Sequence, residues 1–332
     1  MSDGKLALVI GAAGGVGFET ARALLRHGWR VRAMVRDVAR APRLNGAVWV
    51  QGDAMCAEDV MTATRGAAVI VHAVNPPGYK NWPKLVPAML ANTIAAAEAH
   101  HARIVLPGTV YNYGPDVMPV VREGDAQNPR TKKGKIRVAM ERALEHSKAR
   151  VLIVRAGDFF GPHAGNSWFA QGVVKPGAPL KSVVYPGKRD VGHAWAYLPD
   201  FAETIARVLD RESDLARFER FHFGGHYFER GVDMAECVRE AVGAPRLPIR
   251  GFPWLALLAL APVVPLFREM AEMRYLWRRD LKLDNFKLVR FLGAEPHTPI
   301  ITALRETLIA LQCLPGAQRS ELGAEKELAL IV

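Results

Sequence analysis

The sequence predicts an α/β protein built on a doubly wound parallel sheet, with a smaller, mostly helical C-terminal lobe. Two observations support this prediction. Apolar strand-like segments alternate with helical segments through the first half of the chain, a spacing typical of parallel strands joined by right-handed crossovers. The first of these segments runs into a glycine-rich turn, Gly11-x-x-Gly14-x-x-Gly17, and from there directly into a helix.

The predicted elements alternate along the chain, and the strands are short and mostly apolar, as strands covered on both faces should be. The predicted strands are a segment from Leu6 to the glycine turn, Trp29–Val35, Val48–Gln51, Ala68–Ala73, Arg103–Leu106, Val151–Val154 and Phe221–Phe223. The predicted helices are Phe18–His27, Ala57–Arg65, Pro83–His101, Gly134–Lys148, Pro199–Arg211 and Val232–Val242. Helical periodicity is lost between His163 and Gly192, so we expect the sheet domain to comprise residues 1–160 and about 193–225. The lobe would comprise residues 161–192 and 226–332.

The glycine turn has the features of a phosphate-binding loop. Glycines at this spacing let the chain turn sharply and bring backbone N–H groups close to a ligand. The N-terminus of the following helix adds unpaired donors and a favourable dipole. The spacing is GxxGxxG rather than GxGxxG, and the strand–turn–helix context supports the interpretation. The alternative is a glycine-rich surface turn that binds nothing.

The composition narrows the classes of partner. A net charge of +11 and a pI near 9.8 suit an anionic ligand, a nucleic acid or an acidic membrane surface. Lys and Arg are spread along the chain without an aromatic-interleaved basic tract, so we expect no nucleic-acid partner. The three cysteines are far apart and lack metal-ligand spacing. They predict a reducing, cytoplasmic compartment and no metal site, and the N-terminus shows no signal-peptide pattern.

An apolar run covers residues 252–267. It is shorter than the ~20 residues of a membrane span and contains Pro253, Pro262 and Pro265. We therefore expect a buried or interfacial helix, with Trp254–Trp277 mainly packing the core of the lobe. The alternatives are a lid over the substrate or a membrane-surface patch, since Arg268–Arg290 is rich in Arg and Lys.

The order of motifs resembles the extended and atypical short-chain dehydrogenase/reductases, the superfamily of nucleotide-sugar epimerases and dehydratases, which have a Rossmann-type fold. The matching parts are the glycine turn, Gly52-Asp53, Pro107–Gly114, and the run from Arg155 to Pro162, which is similar to the family's Arg-Pro-x-x-x-Tyr-Gly-Pro pattern. The resemblance implies an NAD(P) cofactor that contacts Gly11, Ala13, Gly14, Gly15, Val16, Gly17, Asp53, Ala54, Ala73, Val74, Asn75 and Arg155. Asp53 would contact the adenine, although a turn residue capping the next helix is an equal alternative.

Arg36 favours NADP over NAD. An acidic residue at the end of the second strand would bind the 2′-hydroxyl of NAD and repel the phosphate of NADP. Arg36 occupies that end instead, with Arg32 four residues earlier on the same side. A guanidinium pairs with a phosphate in fork geometry and stacks on adenine. Asp37, one residue later, keeps NAD open, and the alternative for the arginines is a solvated strand end.

The family's catalytic pattern is incomplete. It consists of a Ser or Thr, a Tyr, and a Lys four residues after the Tyr, which together move a proton to or from the substrate oxygen. Thr109 matches the Ser/Thr, and Tyr113 matches the tyrosine that ends the family's Val-Tyr-Gly loop. Counting back from Glu141 places Lys133 and Arg137 where the catalytic Tyr and Lys should stand, so the Tyr-x-x-x-Lys motif is absent.

Two substitutes for the missing tyrosine are open. Lys133 would act as the acid if repulsion from Lys135 and Arg137 lowered its pKa, or Tyr111 or Tyr113 would reach in from the loop. The alternative is a basic helix start that binds phosphate or faces solvent. Candidates for the substrate pocket follow the sheet strands; they are His163, Asn166, Ser167, Trp168, His193, Trp195 and Tyr197.

The sequence thus predicts an NADP-dependent oxidoreductase or epimerase/dehydratase-like enzyme that acts on a small carbonyl or hydroxyl substrate. The substrate would lie between the sheet domain and the lobe. A non-catalytic NADP-binding redox sensor is the alternative, because the Tyr and the Lys are both missing. The expected partner is a small molecule, and a homodimer stays open.

Overall fold

The computed structural model describes residues 4–76, 81–165 and 167–314. The first strands are β1 (Leu6–Ile10), β2 (Arg30–Val35), β3 (Ala47–Gln51), β4 (Val69–His72), β5 (Arg103–Thr109), β6 (Val120–Val121) and β7 (Arg150–Ala156). The later strands are β8 (Asp158–Phe160), β9 (Val183–Tyr185), β10 (His193–Tyr197), β11 (Phe218–His222), β12 (His226–Phe228), β13 (Ile249–Gly251) and β14 (Lys282–Leu283). The helices are α1 (Gly15–Arg26), α2 (Ala57–Thr64), α3 (Trp82–His100), α4 (Lys132–His146), α5 (Leu198–Asp210), α6 (Asp233–Ala241), α7 (Trp254–Leu260), α8 (Pro265–Glu272), α9 (Phe286–Leu292) and α10 (Ile300–Ala310).

The central sheet confirms the predicted fold class. Seven parallel strands run in the order β3-β2-β1-β4-β5-β7-β11. Helices α1 and α5 cover one face, and α2, α3 and α4 cover the other, so the central strands are buried on both sides. The strand order reverses between β1 and β4, and the crevice at their carboxyl ends is where such sheets bind ligands.

Several predicted boundaries differ from the structure by one to three residues, and two of the differences have an identifiable reason. Helix α1 begins at Gly15 rather than Phe18, because Gly14 is its N-cap and Gly15 and Gly17 are helical. The last sheet strand is Phe218–His222, longer than predicted. As an edge strand it pairs only with β7, so polar side chains are tolerated and the apolar signal is diluted.

The C-terminal lobe has its own core of large side chains. Aromatic rings from β8, β10 and the segment after α8 meet the inward faces of α6 and α10. Phe160, Phe169, Trp195 and Trp277 are all buried in this cluster. The lobe is therefore held together by a cluster separate from the two clusters that flank the sheet.

The apolar run 252–267 forms two short helices, α7 and α8, instead of a single one. The expectation that this segment mainly packs the core is only partly correct. Leu257 is buried, but Leu255 is 84% exposed and Val263 is 75% exposed. Of the helices in the described ranges, none combines the length and the apolar character needed to cross a membrane.

Candidate functional site

The glycine turn forms a cradle too tight for side chains. Gly11 has a φ of +84°, and a Cβ atom there would lie 2.8 Å from the Cα of Val74. A Cβ on Gly17 would lie 2.4 Å from the carbonyl oxygen of Gly11. Gly14 caps α1 without a side-chain hydrogen bond, and the first turn of α1 has no acidic residue. The close backbone approach at Gly11 and Gly17, and the lack of an acidic residue in the first turn of α1, suit a pyrophosphate at the start of this helix.

Backbone hydrogen bonds bring three predicted groups of contacts to one edge of the sheet. Gly11 N–H donates to the carbonyl of Met34 over 3.4 Å, and Ala73 N–H donates to the carbonyl of Ile10 over 3.0 Å. Gly52 N–H donates to the carbonyl of Val35 over 2.9 Å. Ala13, Gly14, Gly15 and Val16, together with Ala54, Val74 and Asn75, therefore lie around the same crevice; their contacts with a cofactor stay predictions.

Asp53 lies in the turn before α2 with its side chain exposed. One carboxylate oxygen accepts a 2.9 Å hydrogen bond from Met55 N–H, and the backbone N–H of Asp53 donates to Asp59. Asp53 thus stabilises the turn but does not cap α2, whose N-cap is Cys56 without a side-chain hydrogen bond. The adenine contact of Asp53 stays a prediction.

Arg36 and Asp37 both follow the end of β2, and their side chains have different surroundings. Arg36 is exposed directly after the strand. Asp37 accepts a 3.0 Å hydrogen bond from Ala39 N–H and lies 3.3 Å from the Arg40 guanidinium, so its carboxylate caps the short 3-10 helix that follows. Arg32 donates to backbone carbonyls at the end of α2, so its guanidinium is used in a structural contact.

Thr109 ends β5 and caps the next turn. Its hydroxyl oxygen accepts a 2.8 Å hydrogen bond from Tyr111 N–H, which leaves its own hydrogen for another acceptor. Tyr113, four residues on, is fully buried. Burial raises the pKa of Tyr113, and the nearby Arg155 guanidinium only partly offsets this effect. Tyr113 is therefore a neutral, enclosed hydroxyl.

A buried polar network surrounds that hydroxyl. Arg155 donates to Tyr113 Oη over 2.5 Å and to both carboxylate oxygens of Glu141, over 2.5 and 3.0 Å. His222 donates through Nδ1 to the Val121 carbonyl, so its Nε2 accepts from Tyr113 over 2.7 Å. Burial would lower the pKa of Arg155, but the hydrogen bond and charge of Glu141 raise it overall.

This network bears on the predicted contact between Arg155 and the cofactor. The Arg155 side chain has no exposed surface, and its donors face Glu141, Tyr113 and His222. The geometry points to a structural role for Arg155, which joins β7 to α4 and β11 beneath the crevice.

Lys133 has different neighbours from those expected. It lies in the first turn of α4, is 2% exposed, and pairs with Glu269 and, over 2.7 Å, with Glu272 of α8. Backbone N–H groups of Lys132 and Lys133 also donate to Glu272. The charged partners are thus carboxylates from α8 rather than the repelling cations Lys135 and Arg137.

Arg137 faces the interior beside α3. Its guanidinium lies 5.2 Å from the centre of the Trp82 ring. Burial, and then the charge of Arg137, lower the pKa of His72 to about 3. His72 ends β4, so Arg137 lies near the carboxyl edge of the sheet.

The predicted pocket residues separate into different places. His163 stands at the start of α1, where its ring lies 4.4 Å from that of Phe18 and Nδ1 contacts Glu19. His193 bonds Asp158 over 2.8 Å and stacks on Trp277 in the lobe core, where Trp195 and Tyr197 are also buried. Ser167 and Trp168 pack within the lobe, and Asn166 lies outside the described residues.

A cavity of about 680 Å³ opens beside the Thr109–Tyr113 loop. Its wall includes Tyr275, whose hydroxyl donates to the Tyr113 carbonyl over 3.5 Å. The lining residues are Pro115, Met118, Pro119, Lys188, Arg274, Tyr275, Arg278, Arg279 and Asp280. Within the described ranges, none of the four lining cations pairs with a carboxylate, so the cavity is a strongly cationic space.

This cavity is not among the predictions from the sequence. The sequence feature that belongs to it is the basic stretch Arg268–Arg290, which by itself suits a membrane-surface patch equally well. The cationic side chains line a cavity because the loop 115–119 of the sheet domain lies against the segment after α8.

Comparison with known proteins agrees with this geometry. Residues 11–172 match the family model NAD_binding_10, described as NAD(P)H-binding. A "3-diazoavenalumate denitrifying reductase" from Streptomyces sp is 31% identical over 176 residues, which is 48% of this chain and 57% of the relative. The match thus spans a little over half the length of that curated relative.

Solved structures match over nearly the whole chain. The UDP-glucuronic acid 4-epimerase of Bacillus cereus in complex with NAD is 15% identical, with a TM-score of 0.71 over 92% of this chain and 98% of that one. The Bordetella bronchiseptica enzyme WbmH in complex with NAD⁺ is 18% identical, with a TM-score of 0.67 over 93% and 98% of the two chains. Residues 11–172 therefore match an NAD(P)H-binding domain, and the chain has the Rossmann-type fold of these two solved structures.

Proposed function

We propose that this protein is an NADP-dependent reductase of a small anionic substrate. The observation that carries the proposal is the cationic cavity beside the Thr109–Tyr113 loop, at the carboxyl edge of the sheet. A protein that only sensed its cofactor would need no second cavity at that edge. The apolar wall formed by Met118, Pro119 and Tyr275 suits a ring or hydrocarbon part, and the cations suit a carboxylate or phosphate.

The cofactor would be held by the cradle already described. Backbone amides of Gly15 and Val16 would bind the pyrophosphate, and the exposed guanidinium of Arg36 would bind a 2′-phosphate. The capping role of Asp37 supports NADP over NAD, because its carboxylate is turned to its own helix. When bound, the nicotinamide supplies or accepts a hydride.

Proton supply is the step that distinguishes this chain from the resembled enzymes. Tyr113 is enclosed, and Lys133 is bound by two carboxylates, so neither reaches the cavity as described. The Thr109 hydroxyl retains a hydrogen that can be donated to a substrate oxygen. These contacts favour a hydride acceptor that needs little or no help from an enzyme acid.

Two substrate classes fit. A small carbonyl or hydroxyl compound, as the sequence predicts, would be oriented by Thr109 and take its proton from solvent. A diazonium group requires no proton, because hydride forms the new C–H bond while the C–N bond breaks and neutral N₂ leaves. The denitrifying reductase among the relatives supports including the second class.

The test is NADPH oxidation by the purified protein with matched substrates. Aromatic aldehydes and diazonium compounds are each supplied with and without a carboxylate. We expect turnover of a carboxylate-bearing compound, and a KM raised about tenfold or more by Arg278→Ala, since a charged hydrogen bond contributes about 1.5–3 kcal/mol. Arg246→Ala, an exposed cation outside the cavity, is the control. Preference for the uncharged member of each pair would contradict the proposal.

A non-catalytic NADP-binding regulator is the second candidate. The enclosed positions of Tyr113 and Lys133 favour it, since both predicted proton carriers are used in structural contacts. Stoichiometric NADPH binding with no turnover across the whole panel would select this candidate.

A further inference from the structure

The helical hairpin formed by α7 and α8 has an outer face that the proposed reaction does not use. Residues 251–267 contain no charged side chain. Leu255 and Val263 are largely exposed, and Leu260 is 47% exposed. Ala256, Ala259 and Pro262 between them are exposed as well. We call this set, Leu255, Ala256, Ala259, Leu260, Pro262 and Val263, the hairpin face.

The hairpin that carries this face is anchored to the rest of the protein by several contacts. On its inner side Leu257 is buried, and Trp254 Nε1 donates to the Pro186 carbonyl over 2.6 Å. At the other end of the hairpin, Glu269 and Glu272 pair with Lys133 of α4. The hairpin is fixed at both ends, so its apolar residues are held outward.

Positive charge borders the hairpin face. Arg250 precedes the uncharged run and Arg268 follows it, and both are exposed. The chain as a whole carries a net charge of +11. An apolar surface between exposed arginines fits an apolar layer covered by anionic groups.

We propose that the hairpin face docks on an anionic lipid bilayer, lying flat in the headgroup region. At 7 and 8 residues, the two helices are about 10–12 Å long at 1.5 Å per residue, which suits interfacial contact. A second copy of the chain is the less favourable occupant, because it would bring two cationic rims together. This proposal does not depend on the reaction proposed above.

The test is co-sedimentation of the full chain with vesicles. We expect binding to phosphatidylcholine vesicles containing phosphatidylglycerol, weaker binding to pure phosphatidylcholine, and a loss of binding at high salt. Leu255→Asp and Val263→Asp should each weaken partitioning about tenfold or more, since burying such a side chain contributes about 1.5–3 kcal/mol and 1.4 kcal/mol is tenfold. Phe286→Asp on α9, where the side chain is 69% exposed, is the matched control.

Several results would overturn the proposal. These are no binding to the anionic vesicles, equal binding to neutral ones, or equal weakening by Phe286→Asp. A dimer in size-exclusion chromatography that Leu255→Asp dissociates, without vesicle binding, would assign the face to a second copy. Circular dichroism checks that each variant is folded, as expected for exposed positions.

Discussion

The buried pair of Arg155 and Glu141 gives the sharpest test of how the site is supported. Glu141→Gln preserves the size of the side chain and removes its charge. The guanidinium of Arg155 would then be left with the neutral partners Tyr113 and His222 in a fully buried position. Asn112, which donates to Glu141 over 2.9 Å, would also lose its charged acceptor.

The expected cost is large because both charges are buried. Removing one partner of a buried ion pair typically costs about 3–5 kcal/mol, against a total stability of about 5–15 kcal/mol for a domain. The control is Asp214→Asn, in a pair with Arg211 in which both side chains are 49% exposed. An exposed pair of this kind contributes about 1 kcal/mol or less.

Two assays separate a structural role from cofactor binding. Urea denaturation measures the free energy of unfolding, and a fluorescence titration measures the Kd for NADPH in the folded variant. If Arg155 supports the fold, Glu141→Gln lowers stability and leaves the Kd nearly unchanged. A loss of stability below about 1 kcal/mol, or a Kd raised about tenfold in a stable variant, would refute this reasoning.

Three further predictions concern the cradle and the buried histidine. Gly17→Ala should abolish NADPH binding, because its Cβ would lie 2.4 Å from the carbonyl oxygen of Gly11, while Gly165→Ala, with open space around it, should bind normally by the same titration. Arg36→Ala should weaken NADPH about tenfold or more and leave NADH unchanged; equal losses would reject the 2′-phosphate contact. Burial, and then the charge of Arg155, lower the pKa of His222 to about 3. The unfolded chain therefore binds a proton that the folded one excludes, and stability should fall by up to about 1.4 kcal/mol per pH unit as pH drops from about 6.5 toward 3. In urea titrations at several pH values, His222→Gln should flatten this slope, and an unchanged slope would contradict the assignment.

Local patterns were enough to predict the sheet and the phosphate cradle. The glycine spacing and the apolar strands beside it are short-range features, and they lead to the correct fold class; the cofactor contacts at the crevice stay predictions. Strand β11 was predicted too short because an edge strand needs less apolar surface. The apolar composition of residues 252–267 predicted core packing, but Leu255 and Val263 of this segment lie on the surface.

The polar contacts of the site depend on residues far apart in the sequence. Lys133 meets Glu269 at a separation of 136 residues, and Tyr113 meets His222 at a separation of 109. No local spacing indicates such pairs. The sequence therefore identified Lys133 as the occupant of the usual tyrosine position, but assigned it the wrong kind of charged neighbour.

Those carboxylate neighbours change the meaning of the missing tyrosine. In the resembled enzymes the first turn of this helix supplies the proton; here Lys133 joins α4 of the sheet domain to α8 of the lobe. If Lys133 transferred a proton to the substrate, its ion pairs with Glu269 and Glu272 would have to break. Breaking buried ion pairs is costly, so proton transfer from this position is unfavourable. The cationic cavity is lined by Arg274, Arg278 and Arg279, which follow α8 in the chain. A reductase whose substrate needs no proton from the enzyme is consistent with both observations.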